Sequence, residues 1–316
     1  MRTLVTGGAG FIGATLVDRL LAEGHEVEVV DDLSTGSAAN LDEARASHGD
    51  RLSLAELDIR SAEVIDHVAA SRPEVVFHLA AQAAVPVSVA RPVFDAEVNV
   101  LGTLHVLEGA RAAGARKVVY AASGGTLYGD PDPSDLPLDE DRPPAPTSPY
   151  GITKGVVIDY LRAYRALHGL EWTALALANV YGPRQDPHGE AGVMAIFARR
   201  LLAEEPCQLF DAGRNTRDYV YVEDVVDGFV RAAAKGEGLV CNIGTGVETS
   251  TRAVYEALVT AAGITDREPV LAPPRAGDLA RSALDPTRAG DVLGWSPQVP
   301  LADGVIRTYD WFRQHR

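Results

Sequence analysis

Cysteine and long apolar runs are scarce in this 316-residue sequence. Cys207 and Cys241 are its two cysteines, and they have neither the spacing of a metal site nor the density of a disulfide framework. No apolar run approaches the roughly 20 residues that a membrane span needs. The first apolar run begins at Thr3, so the sequence offers no room for a leader peptide before it. We therefore expect a cytoplasmic protein with reduced thiols, no metal and no membrane anchor.

Basic residues are outnumbered, with 29 Lys and Arg against 44 Asp and Glu, which gives a net charge of −15. Such a charge repels nucleic-acid backbones and anionic membrane surfaces at long range, so neither is an expected partner. A small anionic ligand would need arginines gathered locally. Lysine is rare, at positions 117, 154 and 235, and arginine supplies the other cationic side chains.

The first half of the chain alternates short apolar runs with amphipathic stretches. The predicted strands are residues 3–6, 27–30, 52–57, 75–79, 117–121 and 172–177, and the predicted helices include 12–21, 62–70, 94–113 and 150–168. This alternation predicts an α/β fold, a doubly wound parallel sheet of the Rossmann type with helices on both faces. After Asn179 the pattern loosens. We expect a nucleotide-binding domain at 1–178 and a smaller C-terminal α+β substrate-binding domain at 179–316, with some interleaving.

A glycine motif lies between the first strand and the first helix. Gly7, Gly10 and Gly13 have the spacing G-x-x-G-x-x-G. The first permits a tight turn, the second lets a pyrophosphate approach the backbone, and the third allows close packing of helix on strand. The first helical residues, Phe11 and Ile12, then offer free N–H groups and the positive end of the helix dipole to phosphates. The motif predicts a dinucleotide cofactor.

An acidic pair follows the second strand. Asp31, 18 positions beyond the last glycine, can accept hydrogen bonds from ribose hydroxyls and would repel a 2′-phosphate, which favours NAD over NADP. Asp32 either assists it or caps the turn formed by Ser34-Thr35-Gly36. The strand ends that follow are further candidates for cofactor contact: Asp58, Ile59, Leu79, Ala80 and Ala81.

Tyr150 and Lys154 are four residues apart, which places both side chains on one face of the predicted helix. A tyrosine with a pKa of about 10 is a poor base at neutral pH. A fixed positive charge nearby favours the phenolate and lowers that pKa. The pair therefore predicts a catalytic base with its electrostatic partner. The plain alternative is a pair on the helix surface, worth a few tenths of a kcal/mol.

Together these motifs resemble the extended short-chain dehydrogenase/reductases. Asn99 and segment 123–129 also match this superfamily. Bacterial UDP-glucose 4-epimerases are similar to this sequence in segments 178–192, 215–220 and 274–278. The resemblance implies NAD-dependent C4 epimerisation of a UDP-hexose through a 4-keto intermediate, with Asn99 and Ala121 also contacting the cofactor. It further implies a homodimer, formed through a four-helix bundle of the helices 94–113 and 151–168.

The same resemblance assigns a UDP-sugar site. It implies that the UDP-sugar is held by Asn179, Val193, Phe210, Arg217, Arg275 and Asp278. One position departs from the family. A Ser or Thr usually stands four residues before the tyrosine that is here Tyr128, and this sequence has Gly124. Ser123 and Thr126 flank the gap and are candidates for the hydroxyl that contacts the reacting group, with Thr126 slightly favoured.

Four alternatives share the scaffold. Nucleotide-sugar 4,6-dehydratases and uronate decarboxylases usually carry Glu two residues before that same tyrosine, whereas this chain has Gly125-Thr126. A UDP-uronate 4-epimerase needs a further arginine near the sugar, and Arg184 is a candidate. A non-catalytic NAD sensor would usually have lost Tyr150 or Lys154, and both are kept; the fold by itself does not exclude a sensor.

Ser282 bears on the substituent at C2 of the sugar. In related epimerases the residue seven positions past the arginine here numbered Arg275 borders that side of the ring, and a tyrosine there blocks N-acetyl sugars. The small Ser282 predicts that N-acetyl forms are also accepted. The alternative is that Ser282 begins a strand or caps a turn.

Overall fold

A large parallel sheet organises the molecule. The computed structural model describes residues 1–187, 192–274 and 279–315. Its strands are β1 (Arg2–Thr6), β2 (Glu26–Asp31), β3 (Leu52–Glu56), β4 (Val75–His78), β5 (Lys117–Ser123), β6 (Glu171–Leu177), β7 (Asn179–Tyr181), β8 (Gln208–Phe210), β9 (Thr216–Tyr221), β10 (Leu239–Ile243), β11 (Glu248–Ser250) and β12 (Val270–Ala272). Seven of them pair in the order β10-β6-β5-β4-β1-β2-β3, all parallel. The predicted doubly wound sheet is confirmed.

The α-helices either cover the two faces of this sheet or belong to the smaller region formed by the second half of the chain. They are α1 (Phe11–Ala22), α2 (Asp42–His48), α3 (Glu63–Ser71), α4 (Val85–Ala90), α5 (Pro92–Ala96), α6 (Thr103–Ala113), α7 (Gly124–Leu127), α8 (Pro149–His168), α9 (Val193–Leu202), α10 (Val222–Ala232), α11 (Thr251–Ala262), α12 (Thr287–Leu293) and α13 (Leu301–Gln314). Successive strand residues point to opposite faces. Thus Val5 and Phe77 pack against α1 and α10, while Leu4 and Val76 pack against α3, α6 and α8.

The predicted helix over 94–113 contains a π-helical turn. Helix α5 ends at Ala96, a π-helical turn runs from Glu97 to Gly102, and α6 follows. Such turns are rare and concentrate at functional sites. The side chain of Asn99, in the middle of the turn, bonds the backbone N–H and C=O of Gln82. The chain is thus helical from Pro92 to Ala113, in agreement with the prediction, and the π-helical turn coincides with the hydrogen bonds of Asn99.

Helix α8 carries the predicted catalytic pair and has well-defined ends. The Oγ of Ser148 accepts a hydrogen bond from the N–H of Gly151, and Pro149 occupies the first turn. At the other end Gly169 adopts φ +70°, a left-handed conformation that favours glycine. Tyr150 and Lys154 consequently sit in the first two turns of a 20-residue helix.

The second half of the chain builds a smaller region and also returns to the large sheet. A three-stranded sheet (β11-β9-β7), a two-stranded sheet (β12-β8) and helices α9, α11 and α13 enclose a separate core. Strand β10, however, pairs with β6 at the edge of the large sheet, and α10 packs against that sheet beside α1. The segment 222–243 therefore belongs structurally with the first half of the chain. No helix in the described part of the chain has both the length and the apolar character to cross a bilayer.

Candidate functional site

The glycine motif is held by close backbone contacts. Gly7 has φ +70°, and a Cβ there would lie 2.7 Å from the N of Ala80. A Cβ on Gly13 would lie 2.1 Å from the O of Gly7, so only glycine fits. Gly10 precedes the first residue of α1 and supplies no side-chain cap, and a Cβ there would meet only the Gly7 O, at 3.3 Å. The uncapped N–H groups of the helix therefore face a space that suits a pyrophosphate.

Asp31 is tied to this motif. The N–H of Ala9 donates to its Oδ2 and the N–H of Leu33 to its Oδ1, both at 2.9 Å. Burial raises the pKa of this carboxyl, while the hydrogen bonds from Leu33 and Ala9 lower it. A Cβ on Gly36 would come within 3.1 Å of Oδ1, so the following loop packs directly on the carboxylate. Lone pairs of both oxygens remain for ribose hydroxyls.

Asp32 has a different environment. Its Oδ1 accepts hydrogen bonds from the N–H and the Oγ of Ser34, at 3.0 and 2.6 Å. The side chain thus caps the turn that contains Thr35 and Gly36, which is the second of the two roles left open by the sequence.

Most of the other predicted cofactor residues lie at the carboxyl ends of β3, β4 and β5, the edge at which such sheets bind dinucleotides. They are Asp58, Ile59, Leu79, Ala80, Ala81 and Ala121. Asn99 lies instead in the π-helical turn and bonds the backbone of Gln82, in the loop after β4. Asp58 is paired with Arg60, whose hydrogen bonds lower the pKa of the carboxyl. Ile59 is buried, and a Cβ on Gly102 would lie 2.7 Å from its Cγ1. The motif, Asp31 and these strand ends therefore line one edge of the sheet.

Tyr150 and Lys154 are both buried beside β5. The Nζ of Lys154 donates to the O of Ala121 at 2.9 Å and lies 5.9 Å from the centroid of the Tyr150 ring. Burial lowers the pKa of Lys154 to about 8 and raises the pKa of Tyr150 to about 12. At neutral pH the protein alone therefore holds an ammonium next to a neutral phenol. A second positive charge at this edge would favour the phenolate.

The structure distinguishes the two candidate hydroxyls. Burial raises the pKa of Tyr150, and the Ser123 hydroxyl, which lies within reach of the phenol, lowers it. The Oγ1 of Thr126 is buried and has no hydrogen-bond partner among the described residues. The geometry therefore favours Ser123, whereas the sequence slightly favoured Thr126.

The departure at Gly124 has a steric cause. A Cβ at this position would lie 2.3 Å from the Cδ1 of Leu284. Leu284 is fully buried and fills the space that a serine or threonine side chain at position 124 would need. The absence of a side chain at Gly124 thus makes room for the side chain of Leu284, 160 residues later in the sequence.

The predicted UDP-sugar residues belong to the smaller region. In the pairing of β7 with β9, Asn179 lies opposite Tyr219, two residues beyond Arg217. A Cβ on Gly125 would lie 3.9 Å from the Oδ1 of Asn179. Asn179 therefore lies next to helix α7, which follows Ser123. Val193 begins α9 and Phe210 ends β8. Arg275 and Asp278 lie outside the described residues.

Ser282 lies on a segment that is hydrogen-bonded to strand β9. Its side chain is 5% exposed. Two residues later, Leu284 contacts the position of Gly124 and donates its N–H to the Oδ2 of Asp218 at 3.2 Å. The segment that carries Ser282 therefore passes between helix α7 and strand β9, next to Arg217.

Comparisons with known proteins agree with this geometry. The profile described as the NAD dependent epimerase/dehydratase family matches residues 3–244. A UDP-glucose 4-epimerase of Mycolicibacterium smegmatis is 55% identical over 314 residues, 99% of each chain. The chain belongs to the NAD dependent epimerase/dehydratase family. This confirms the predicted family relationship and NAD as the cofactor.

Solved structures extend the similarity within the epimerase/dehydratase family. A UDP-glucose 4-epimerase from Thermotoga maritima, crystallised with UDP-glucose, has a TM-score of 0.95 and 44% identity, covering 100% of this chain and 99% of that one. A UDP-glucose 4-epimerase from Thermus thermophilus in complex with NAD has a TM-score of 0.91 and 44% identity, covering 99% of both chains.

Arg184, considered from the sequence as a carboxylate-binding residue near the sugar, is engaged elsewhere in this family member. Its Nη1 lies 2.6 Å from the Oδ2 of Asp18 on helix α1. The side chain lines a cavity of about 750 Å³ together with Gly10, Phe11 and Trp311. Its charge is thus directed toward α1.

A polar cluster beside Lys154 was not predicted from the sequence. It consists of Gln82, Asp95 and Thr153, joined to the predicted Asn99. One available signal was the spacing of Asp95 and Asn99, four residues apart on an expected helix. The contribution of Gln82 and Thr153 depends on chain segments that meet only in the folded protein.

Proposed function

We propose that this member of the epimerase/dehydratase family interconverts the C4 epimers of a UDP-hexose, UDP-glucose and UDP-galactose, with NAD as its cofactor. The observation that carries the proposal is the buried Tyr150, next to Lys154 and within reach of the Ser123 hydroxyl, at the edge of the sheet where the glycine motif begins. The UDP-glucose 4-epimerases that resemble this chain over its full length support the same activity.

Three side chains take part in proton transfer, each with a different role. Bound NAD would supply the hydride chemistry at C4, taking the hydride from one face of the sugar and returning it to the other. Tyr150 accepts the proton of the C4 hydroxyl at its Oη and later gives it back. Lys154 stabilises the phenolate, and the Ser123 hydroxyl hydrogen-bonds the reacting oxygens. The glycine motif and Asp31 hold the cofactor, while Asn179, Val193, Phe210 and Arg217 hold the UDP-sugar.

The alternatives fit the site less well. Elimination of water by a 4,6-dehydratase needs a carboxyl group, and Gly125 and Thr126 occupy the positions where related enzymes carry acids. A uronate 4-epimerase needs a cation for the sugar carboxylate, and Arg184 is already paired with Asp18. A non-catalytic sensor has no use for the buried Tyr150 and Lys154, because an unused buried ammonium costs free energy.

A substrate panel tests the proposal. The purified protein is incubated with NAD and with UDP-glucose, UDP-N-acetylglucosamine or UDP-glucuronate, and the products are separated by C4 configuration. We expect UDP-galactose from UDP-glucose with no net formation of NADH. A dehydrated 6-deoxy product would indicate a dehydratase, turnover of UDP-glucuronate alone would indicate a uronate epimerase, and bound NAD without turnover would indicate a sensor.

Ser123→Ala should lower kcat for UDP-glucose about tenfold or more, since a hydrogen bond to a group that becomes charged is worth about 1.5–3 kcal/mol. Thr126→Val is the matched control. It replaces a buried hydroxyl without a partner among the described residues by a methyl group of the same shape, and it should change kcat little. The opposite ranking of the two variants would assign the role to Thr126.

We also propose a homodimer formed through α5, α6 and α8. Ile152, Val156 and Tyr160 are exposed and follow each other every four residues, so they form one apolar stripe along α8. Val93 on α5 and Leu101 in the π-helical turn are exposed as well. Two antiparallel copies of such a face make a four-helix bundle.

Sedimentation velocity measures this assembly directly. Val156→Glu should convert the dimer to a monomer at micromolar concentration, because it places a charge in the apolar stripe. Val270→Glu is the control, an exposed valine on β12 outside the stripe, and should leave the dimer intact. Dimers in both variants would exclude this interface.

A cytoplasmic location is part of the same proposal. Cys207 and Cys241 are free and buried thiols, which suits a reducing compartment.

A further inference from the structure

A carboxylate outside the predicted site lies in the same buried region as the catalytic pair. Asp95, on α5, is 0% exposed. Its Oδ1 accepts hydrogen bonds from the Nε2 of Gln82 at 2.7 Å and the Nδ2 of Asn99 at 3.1 Å, and its Oδ2 accepts one from the Oγ1 of Thr153 at 2.8 Å. A carboxylate buried this deeply is tolerated because such donors replace its hydration.

The cluster joins three chain segments. Gln82 belongs to the loop after β4, which follows Ala80 at the glycine motif, and its backbone is held on both sides by Asn99. Asn99 belongs to the π-helical turn. Thr153 belongs to α8 and immediately precedes Lys154. Asp95 contacts all three and so links the cofactor loop to the turn of α8 that bears the ammonium.

Asp95 also contributes charge at Lys154. The titratable groups that face the Lys154 ammonium are Tyr150 on α8, Tyr120 on β5, His78 on β4 and Asp95 on α5. Burial lowers the pKa of His78 to about 3, so this side chain is neutral at working pH. The negative charge of Asp95 raises the pKa of Lys154 and also that of Tyr150. Because all these groups are buried, salt screens the interaction poorly.

We propose that Asp95 is a positioning residue of this active site. Through Thr153 it fixes the turn of α8 that presents Lys154, and its buried negative charge keeps the lysine protonated during turnover. The inference rests on the proposed roles of Tyr150 and Lys154 in epimerisation. It has a distinctive consequence: loss of the charge moves both limbs of the pH–rate profile to lower pH, because a negative charge raises every pKa near it. Loss of mere structural support would lower the rate without moving either limb.

The decisive variant is Asp95→Asn, which removes the charge and keeps the shape and most hydrogen bonds of the side chain. The chain has three lysines, so protein labelled with ¹³C at lysine Cε gives three signals, assigned with Lys235→Arg and Lys154→Arg. The titration midpoint of Lys154 should fall by on the order of one pH unit in Asp95→Asn, without any substrate present. Both limbs of the pH profile of kcat/KM for UDP-glucose should move to lower pH. On the alkaline side kcat/KM should therefore fall by on the order of tenfold.

Thr153→Val separates positioning from charge. It removes the hydroxyl link and leaves the carboxylate, so kcat should fall while both pH limbs stay in place, and Thr153→Ser should restore the rate. If Asp95→Asn folds poorly, Asp95→Ser, which leaves room for a water molecule, gives the same readout. An unchanged Lys154 midpoint in a folded variant would overturn the proposal. A shifted midpoint in a protein that turns over no UDP-sugar would instead refute the proposed function.

Discussion

Tyr150→Phe should reduce epimerisation of UDP-glucose by a factor on the order of 10²–10⁴, the usual contribution of a positioned acid–base group. The substitution removes only the phenolic hydroxyl, and the buried ring continues to pack. Lys154 keeps its hydrogen bond to the O of Ala121. The glycine motif and Asp31 are untouched, so the amount of bound NAD should match that of the unmodified protein. Initial rates and cofactor content, measured on the same preparations, check both statements.

The same substitution elsewhere on α8 provides the control. Tyr160 is exposed, ten residues along the helix, and Tyr160→Phe should retain full turnover. A Tyr150→Phe variant with near-normal rates would exclude this phenol as the base.

Ser282→Tyr should abolish turnover of UDP-N-acetylglucosamine and retain that of UDP-glucose. Ser282 is small and buried, on the segment that runs between helix α7 and strand β9. The family resemblance assigns this residue to the C2 side of the sugar, so a tyrosine at position 282 would place its ring on that side. There it would overlap the acetamido group directly, which excludes one substrate by steric conflict and leaves the other unaffected.

Two further measurements make this test specific. Ser282→Ala keeps the side chain small and should accept both substrates. Thermal unfolding of Ser282→Tyr shows whether the ring has damaged the core, because overpacking typically costs about 1–3 kcal/mol of stability. Equal loss of both substrates at unchanged stability, or no acetamido activity in the unmodified protein, would contradict the assignment of Ser282 to the C2 side of the sugar.

Local patterns in the sequence were sufficient for the large sheet and its cofactor edge. Strands buried on both faces have short apolar runs in their sequence, and amphipathic helices have apolar residues with a 3.6-residue period. For this reason β1 to β6 and helices α1, α3 and α8 were predicted close to their observed bounds. The glycine spacing, Asp31 and the four-residue interval between Tyr150 and Lys154 are equally local. Each depends on residues within one strand–turn–helix unit or one helix.

Tertiary structure alone decided the features that depend on distant segments meeting. Strand β10 joins the large sheet because β6 offers it an edge, and the loose pattern after Asn179 holds no sign of that pairing. The buried side chain of Leu284 occupies the space that a side chain at Gly124 would need, so the hydroxyl near the reacting group must come from another residue, Ser123. Asp18 forms an ion pair with the guanidinium of Arg184. The hydrogen bonds of Asn99 in the π-helical turn and those of the Asp95 cluster likewise join different segments of the chain. Such contacts are set by side-chain shape and by the satisfaction of buried polar groups, which local periodicity does not encode.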